Sequence, residues 1–184
     1  MTKQELEELE SLKYPIGKSE IPKDISSEDI KRWITEISEL PEKLTKAVNP
    51  LSKKQLDTTY RPEGWTLKQL VHHIADSHMN GLLRFKWALT EDEPTIKVYN
   101  EKSFAELNDS TLAPVDISLD FLRALHARWV ILLENMSSSD FERTFVHPQS
   151  GTRFKLKEML AHYSWHGRHH FAHLSNLIKS KGWQ

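Results

Sequence analysis

The sequence predicts an all-α protein folded as a four-helix bundle. Four long segments carry apolar residues at helical spacing, and strand-like alternation stands out at one place in the chain. A length of 184 residues suits one domain with a sizeable core, so we expect a single domain over residues 1–184.

The first long helix is predicted over residues 26–48. Ser26 or Ser27 serves as its N-cap, and apolar residues follow at helical spacing. These residues are Ile30, Trp33, Ile34, Ile37 and Leu40. Pro41 has no backbone N–H to donate, so it is expected to bend or interrupt the helix.

The second long helix is predicted within residues 64–91. Thr66 followed by Gln69 is the pattern of a capping box, which marks a helix start. The looser stretch 92–115 contains two prolines and room for one short helix near 102–107. It is long enough to cross over one end of the bundle, so a simple up-down-up-down order is not required.

The third helix is predicted over residues 116–136 and the last over 156–180. Between them, residues 144–155 alternate in polarity around a Pro-Gln-Ser-Gly turn, which predicts a small hairpin. The apolar face expected for the third helix comprises Phe121, Leu122, Leu125, Trp129, Leu132 and Leu133.

The composition argues against several classes of function. A net charge of −1 favours neither nucleic acid nor an anionic membrane, and no apolar run is long enough to span a bilayer. Residues 1–12 are acidic rather than signal-like, and we expect them to form a short helix in a cytoplasmic protein. Cysteine is absent, so a metal would be held by His, Asp or Glu.

Eight of the ten histidines fall in two stretches, residues 72–78 and 162–173. In the motif "WHGRHH", His166 and His170 are four residues apart and lie within the apolar stripe of the last helix. In the second helix, His73 borders the apolar stripe and His78 falls near its centre.

One histidine from the second helix and the pair from the last helix would form a site of three imidazole nitrogens. Such a site keeps coordination positions open, as catalytic zinc sites do, although imidazole also suits nickel, copper and iron. The pairs His162/His166 and His169/His173 have the same spacing and compete as ligands. A cluster of hydrogen-bonded core histidines also fits the pattern, and a fourth ligand would make the site structural. The candidates for that fourth ligand are His78, His147 and His162.

Three sequence blocks resemble the YfiT-like group of the DinB superfamily: "YPIG" at 14–17, the long block 56–99 and "WHGRHH" at 165–170. This group is described as metal-dependent hydrolases and includes the bacillithiol transferases. The likeness runs from Tyr14 to Trp183 and leaves residues 1–13 outside.

The resemblance implies a DinB-type bundle that forms a homodimer and holds one divalent metal, zinc or nickel, with three histidines. Matched to the family motif, the ligands are His73, His166 and His170. Two positions depart from the usual pattern: Thr59 stands where relatives often carry Pro, and Glu63 where they often carry Gly.

The function expected from this resemblance is transfer of a low-molecular-weight thiol such as bacillithiol to an electrophilic small molecule. No HExxH motif is present, so a zincin-type protease is not supported. A hydrolase with a metal-activated water is the alternative, with Asp76 or a Glu as a base, and a metal-braced binding or structural module is a further one. Ser77, Asn80 and Arg84 continue the line of His73 and are expected to line the pocket, with Arg84 meeting a carboxylate of the thiol.

Overall fold

The computed structural model describes residues 9–183 and consists mainly of helices. In chain order its elements are α1 (Ser27–Val48), α2 (Lys53–Leu56), α3 (Leu67–Thr90), α4 (Glu101–Ala105), α5 (Asn108–Thr111), α6 (Val115–Glu134), α7 (Ser138–Phe141), β1 (Thr144–Val146), β2 (Arg153–Lys155) and α8 (Leu156–Lys181). Residues 9–13 are also helical, whereas the rest of the helix expected over 1–12 lies outside the described residues.

The four long helices form a bundle in which consecutive helices are not all neighbours. Helix α1 packs against α6 and α8, and α3 packs against the same two helices. Helices α1 and α3 therefore stand diagonally across the bundle. The link from α3 to α6 carries α4 and α5, so the predicted crossover connection is confirmed.

The ends of the long helices follow the local sequence. Ser26 caps α1 and exchanges hydrogen bonds with Asp29, while Thr66 caps α3 and exchanges them with Gln69. The small hairpin is also confirmed: β1 and β2 pair antiparallel directly before α8, with Phe145 opposite Phe154.

Helix α1 continues through Pro41 without interruption. The missing N–H of Pro41 leaves the Ile37 carbonyl without its helical donor. His126 of α6 fills that place, because its ring Nδ1 donates to the Ile37 carbonyl at 2.6 Å. A side chain from a neighbouring helix thus satisfies the carbonyl that the proline leaves open.

Two apolar clusters fill the bundle, one toward each end. The first includes Trp129, Tyr163, Phe85 and Phe145, which are fully buried. The second is largely aliphatic and includes Leu44, Leu67, Leu70, Ile74, Leu122 and Leu174. Along α8, buried histidines occupy the turns between these clusters. Helix α3 adds His78 between the clusters and His72 and His73 within the stretch that belongs to the second one, and α6 adds His126. We call this set the histidine layer; it comprises His72, His73, His78, His126, His166, His169, His170 and His173.

The third predicted helix is present, but its buried face is narrower than expected. Phe121 is 41% exposed and Leu132 is only partly buried. Both point away from the line of Leu122, Leu125 and Trp129, which faces α1 and α3. No helix within residues 9–183 is both long and apolar enough to cross a membrane.

Candidate metal centre

Three histidines converge in the middle of the bundle. His73 comes from α3, and His166 and His170 come from successive turns of α8. One ring nitrogen from each lies within 4.8 Å of the others, and the Nε2 atoms of His73 and His166 are 3.3 Å apart. The i, i+4 spacing on α8 stacks two rings on one face, and α3 supplies the third from the facing side. The structure therefore brings together the three predicted ligands, and their binding of a metal stays a prediction.

Burial favours the neutral form of all three rings. It lowers the pKa of His73 to about 4, with a smaller contribution from the charge of His169. Burial also holds the pKa of His166 and of His170 well below the ordinary value; the charge of His170 lowers the pKa of His166 further, and the charge of His73 lowers that of His170. A neutral imidazole has the free lone pair that a metal binds, so the cluster is ready for a metal at neutral pH.

The donor set fits a divalent transition metal. Within residues 9–183, these three histidines form the one convergent group of potential ligand side chains, and no carboxylate belongs to it. Three imidazoles with open positions match the catalytic pattern of zinc, and nickel accepts the same donors.

Behind the cluster, His166 is held by a second buried imidazole. The Nδ1 atom of His166 lies 3.2 Å from Nε2 of His78, which is fully buried. The His78 ring stacks on His126 with centroids 4.9 Å apart and an interplanar angle of 15°. Since His126 bonds the Ile37 carbonyl, a row of imidazoles connects the cluster to α1. Sequence reasoning missed His126, although a proline four residues after Ile37 signals an unpaired carbonyl there.

A cavity of about 640 Å³ opens beside the cluster. One wall is the loop 60–65: the Tyr60 ring lies 4.4 Å from His173 and the Trp65 ring 4.5 Å from His73. Glu63, in this loop, has φ +57°, a left-handed conformation that glycine adopts more easily. This conformation gives a physical reason for the glycine that the family resemblance led us to expect there.

The "YPIG" segment forms the opposite edge of the cavity. Tyr14 lines it, and Gly17 follows in a turn with φ +79°. The Gly17 carbonyl accepts from Trp165 Nε1 at 3.2 Å, and Ser19 Oγ lies 3.3 Å from His162 Nδ1. This arm therefore lies against the turn of α8 that carries His166.

The competing histidines do not join the convergent group. His169 and His173 are buried, and their Nε2 atoms are 3.1 Å apart on the cavity wall. The arm and the loop 60–65 cover them, which helical phase alone does not reveal. His162 also lines the cavity, whereas His147 lies in the hairpin.

Three predicted pocket residues do not line the cavity as the structure describes it for residues 9–183: Ser77, Asn80 and Arg84. Arg84 Nη1 donates to Tyr163 Oη at 3.0 Å, and Ser77 is buried beside the Tyr163 side chain. Asn80 donates to the Asp76 carbonyl of its own helix at 2.8 Å. These side chains lie one or more turns beyond His73, where the Tyr163 ring covers α3.

Asp76 lies on another side of α3, beside Asp109 and His72. Burial raises the pKa of Asp76 to about 6, and the charge of Asp109 contributes. His72 is turned toward α6, where its Nδ1 lies 2.7 Å from Ser118 Oγ. Neither side chain reaches the three-histidine cluster.

Comparison with known proteins identifies the family. A family model described as the DinB superfamily matches residues 36–174, which include all three converging histidines. The chain belongs to the DinB superfamily. The resemblance stated from the sequence motifs is thus confirmed.

Close relatives of this DinB-superfamily protein carry names that refer to metal. A Bacillus cereus (strain 03BB102) protein named "Putative metal-dependent hydrolase" is 52% identical over 175 residues, covering 95% of this chain and 100% of that protein. A Bacillus thuringiensis subsp. konkukian protein of the same description matches to the same extent. The names and the three-histidine cluster together indicate metal dependence.

The fold is confirmed by a solved structure. YfiT from Bacillus subtilis, described as "a probable metal-dependent hydrolase with an unusual four-helix bundle topology", matches with a TM-score of 0.92 and 44% identity. The match covers 95% of this chain and 99% of YfiT. A mycothiol-dependent maleylpyruvate isomerase shares the fold at 16% identity, with a TM-score of 0.60 over 76% of this chain and 60% of that one.

Proposed function

We propose that this protein is a metal-dependent enzyme that transfers a low-molecular-weight thiol, of the bacillithiol type, to electrophilic small molecules. The observation that carries the proposal is the convergence of three neutral imidazoles on a cavity, with no carboxylate in the convergent group. Thiol transfer needs a thiolate. A bound metal would favour the thiolate form, so the reaction does not need a carboxylate base beside the histidines.

The chain's own residues hold and orient the site. His73, His166 and His170 would bind zinc or nickel, which when bound offers an open position and favours the thiolate form of a thiol. His78 fixes the ring of His166 from behind, and the Trp65 ring packs on His73. The apolar clusters above and below the histidine layer keep water from the back of the site.

A thiol as co-substrate is supported by the fold as well as by the site. The isomerase that shares the fold is itself named as mycothiol-dependent. The same bundle therefore accommodates chemistry with a small thiol in at least one protein.

Hydrolysis is the second candidate, and the names of the close relatives favour it. Glu101 and Glu106 lie on the cavity wall and would be the bases available to such a reaction. Both are exposed at the mouth of the cavity.

We also propose that the chain acts as a homodimer in the cytoplasm. Helix α6 leaves apolar side chains exposed, including Ile117 at 61% and Ile131 at 63%, and such a face suits contact with a second copy. Light scattering of the purified protein at micromolar concentration gives the oligomeric state directly, and a monomer there excludes the dimer.

The test of function combines metal content with thiol turnover. We expect about one zinc or nickel per wild-type chain, and loss of the metal in His73→Ala, His166→Ala and His170→Ala. His147→Ala, which alters a histidine of the hairpin, is the matched control and should keep the metal. Conjugation of bacillithiol to a generic electrophile should proceed in the wild type and stop on addition of a chelator.

The outcomes separate the two candidates. A metal-loaded protein that cleaves ester or amide substrates without consuming thiol supports the hydrolase and overturns thiol transfer. A wild-type protein that binds no metal after reconstitution with zinc or nickel overturns both.

A further inference from the structure

The cavity beside the histidine cluster is lined by one arginine, Arg61, whose charge has no ion-pair partner among residues 9–183. Arg61 lines the cavity from the loop 60–65. Its Nη1 donates to the Pro62 carbonyl at 3.0 Å, and its guanidinium lies 5.4 Å from the centre of the Tyr60 ring. The Nε atom is buried and has no hydrogen-bond partner.

No ion pair within residues 9–183 includes Arg61. A guanidinium has five N–H donors, and a half-buried one is ordinarily paired with a carboxylate or phosphate. Arg61 instead shares the cavity wall with the imidazoles of His169 and His173. The Nδ1 atom of His169 is also buried without a partner.

None of the other charged groups of the cavity forms an ion pair with Arg61 within residues 9–183. They lie at its mouth on exposed or half-exposed side chains, and with Arg61 included the acidic and basic groups are equal in number. The acidic ones are Glu63, Glu101 and Glu106, and the basic ones besides Arg61 are Lys13 and Lys102. A divalent cation on the three histidines would therefore make the whole cavity net positive.

We propose that Arg61 is an anion subsite, which binds a carboxylate of the reactant that occupies the three-histidine centre. This inference deepens the proposed function and rests on it for the nature of that reactant. It also moves the expected carboxylate contact from Arg84, which is engaged with Tyr163, to Arg61. Both the thiol and the electrophile could carry the carboxylate, and the experiment distinguishes them.

The primary test is a binding measurement on zinc-loaded protein with two thiols that differ in one charge. The probes are 3-mercaptopropionate and its neutral amide, and the readout is calorimetry or quenching of the cavity tryptophans. We expect wild type to bind the acid on the order of tenfold more tightly than the amide. Arg61→Gln should remove that preference while leaving the affinity for the amide unchanged.

Two variants control for charge and for folding. Arg61→Lys keeps the charge but not the planar fork, so it should retain only part of the preference. Arg123→Gln removes an arginine that pairs with Asp120 on the outer face of α6, and the preference should remain intact.

A second arm locates the carboxylate. Alkylation of a neutral thiol by iodoacetate and by iodoacetamide shows whether Arg61→Gln raises KM for the acidic electrophile. If the wild type prefers the acidic thiol or the acidic electrophile and Arg61→Gln removes that preference, the anion subsite is supported. The reactant that shows the preference is then the one that carries the carboxylate. If the wild type binds both thiols equally and Arg61→Gln changes neither arm, the subsite is overturned while thiol binding stands. If neither thiol binds, the proposed thiol transfer itself fails.

Discussion

At the scale of single residues, the contact between His166 and His78 governs how the predicted metal ligand His166 is oriented. A metal bound at Nε2 of His166 would leave the ring proton on Nδ1, and Nδ1 lies 3.2 Å from Nε2 of His78. In that state His166 would donate and His78 would accept. Burial holds the pKa of His78 well below its ordinary value, which keeps the ring neutral, and as the acceptor its Nε2 would leave the one ring proton on Nδ1. Such outer contacts fix the tautomer and the ring orientation of a ligand.

Replacing His78 should weaken metal binding without removing a ligand. We expect His78→Phe, which loses the acceptor, to lower zinc affinity by about 10- to 100-fold. His78→Gln places an amide oxygen near the position of Nε2 and should restore part of the affinity. Competition with a chromophoric chelator measures both.

His72→Phe is the matched control, since His72 is a buried histidine of the same helix that faces Ser118. It should alter stability and leave zinc affinity near the wild-type value. Equal loss of affinity in the two phenylalanine variants would show that His78 acts only through the fold.

At the scale of elements, α1 and α6 are joined by a hydrogen bond that exists because of a proline. The Ile37 carbonyl cannot be paired within α1, and His126 Nδ1 pairs it instead. A buried carbonyl left without a donor costs about 1–3 kcal/mol, so this contact matters for the packing of the two helices.

A double-mutant cycle tests that argument. His126→Leu should lower the free energy of unfolding by about 1–3 kcal/mol in the wild-type background. In the Pro41→Ala background the loss should be smaller, because the new N–H of residue 41 can bond the Ile37 carbonyl within the helix. Urea unfolding of the four proteins gives the coupling energy. Additive losses within experimental error would mean that His126 does not replace the helical donor.

The elements were largely predictable from local sequence, whereas the cavity was not. The helix starts were marked by the capping box at Thr66 and by a capping serine at Ser26 or Ser27, of which the structure uses Ser26, because such caps depend on residues three apart. The cavity instead depends on the loop 60–65 and the "YPIG" arm, which meet α8 across long sequence separations. Helix phase indicated that His166 and His170 face inward, and the family resemblance selected His73 as their companion; the three side chains do converge. Helix phase could not show that the Tyr163 ring covers the part of α3 with Ser77 and Arg84, or that Arg61 lines the cavity.

At the scale of the whole molecule, the histidine layer places ionisable groups between two apolar clusters. Five of its members are deeply buried and have pKa values lowered mainly by burial: His73, His78, His126, His166 and His170. In the unfolded chain each recovers an ordinary pKa near about 6.5. The folded state therefore binds fewer protons than the unfolded state once the pH falls below that value.

This difference predicts steep acid destabilisation of the metal-free protein. Each of the five histidines lowers the free energy of unfolding by up to about 1.4 kcal/mol per pH unit below pH ~6.5, until the folded pKa is reached. Together they amount to about 7 kcal/mol per unit, which is comparable to the whole stability of a typical domain. Stability should change little between pH 8 and 7 and should fall sharply between about pH 6 and 5.

Urea or thermal unfolding followed by circular dichroism, with chelator and with zinc, checks this prediction. Zinc binds the neutral rings of the folded state, so the zinc-loaded protein should remain folded to a lower pH than the metal-free protein. Removing one buried imidazole, as in His126→Leu, should make the pH dependence of the metal-free protein less steep. If the free energy of unfolding of the metal-free protein stays constant from pH 7 to pH 5, the buried histidines can be protonated without destabilising the fold. The histidines would then not be held in the neutral, metal-ready form on which the proposed function depends.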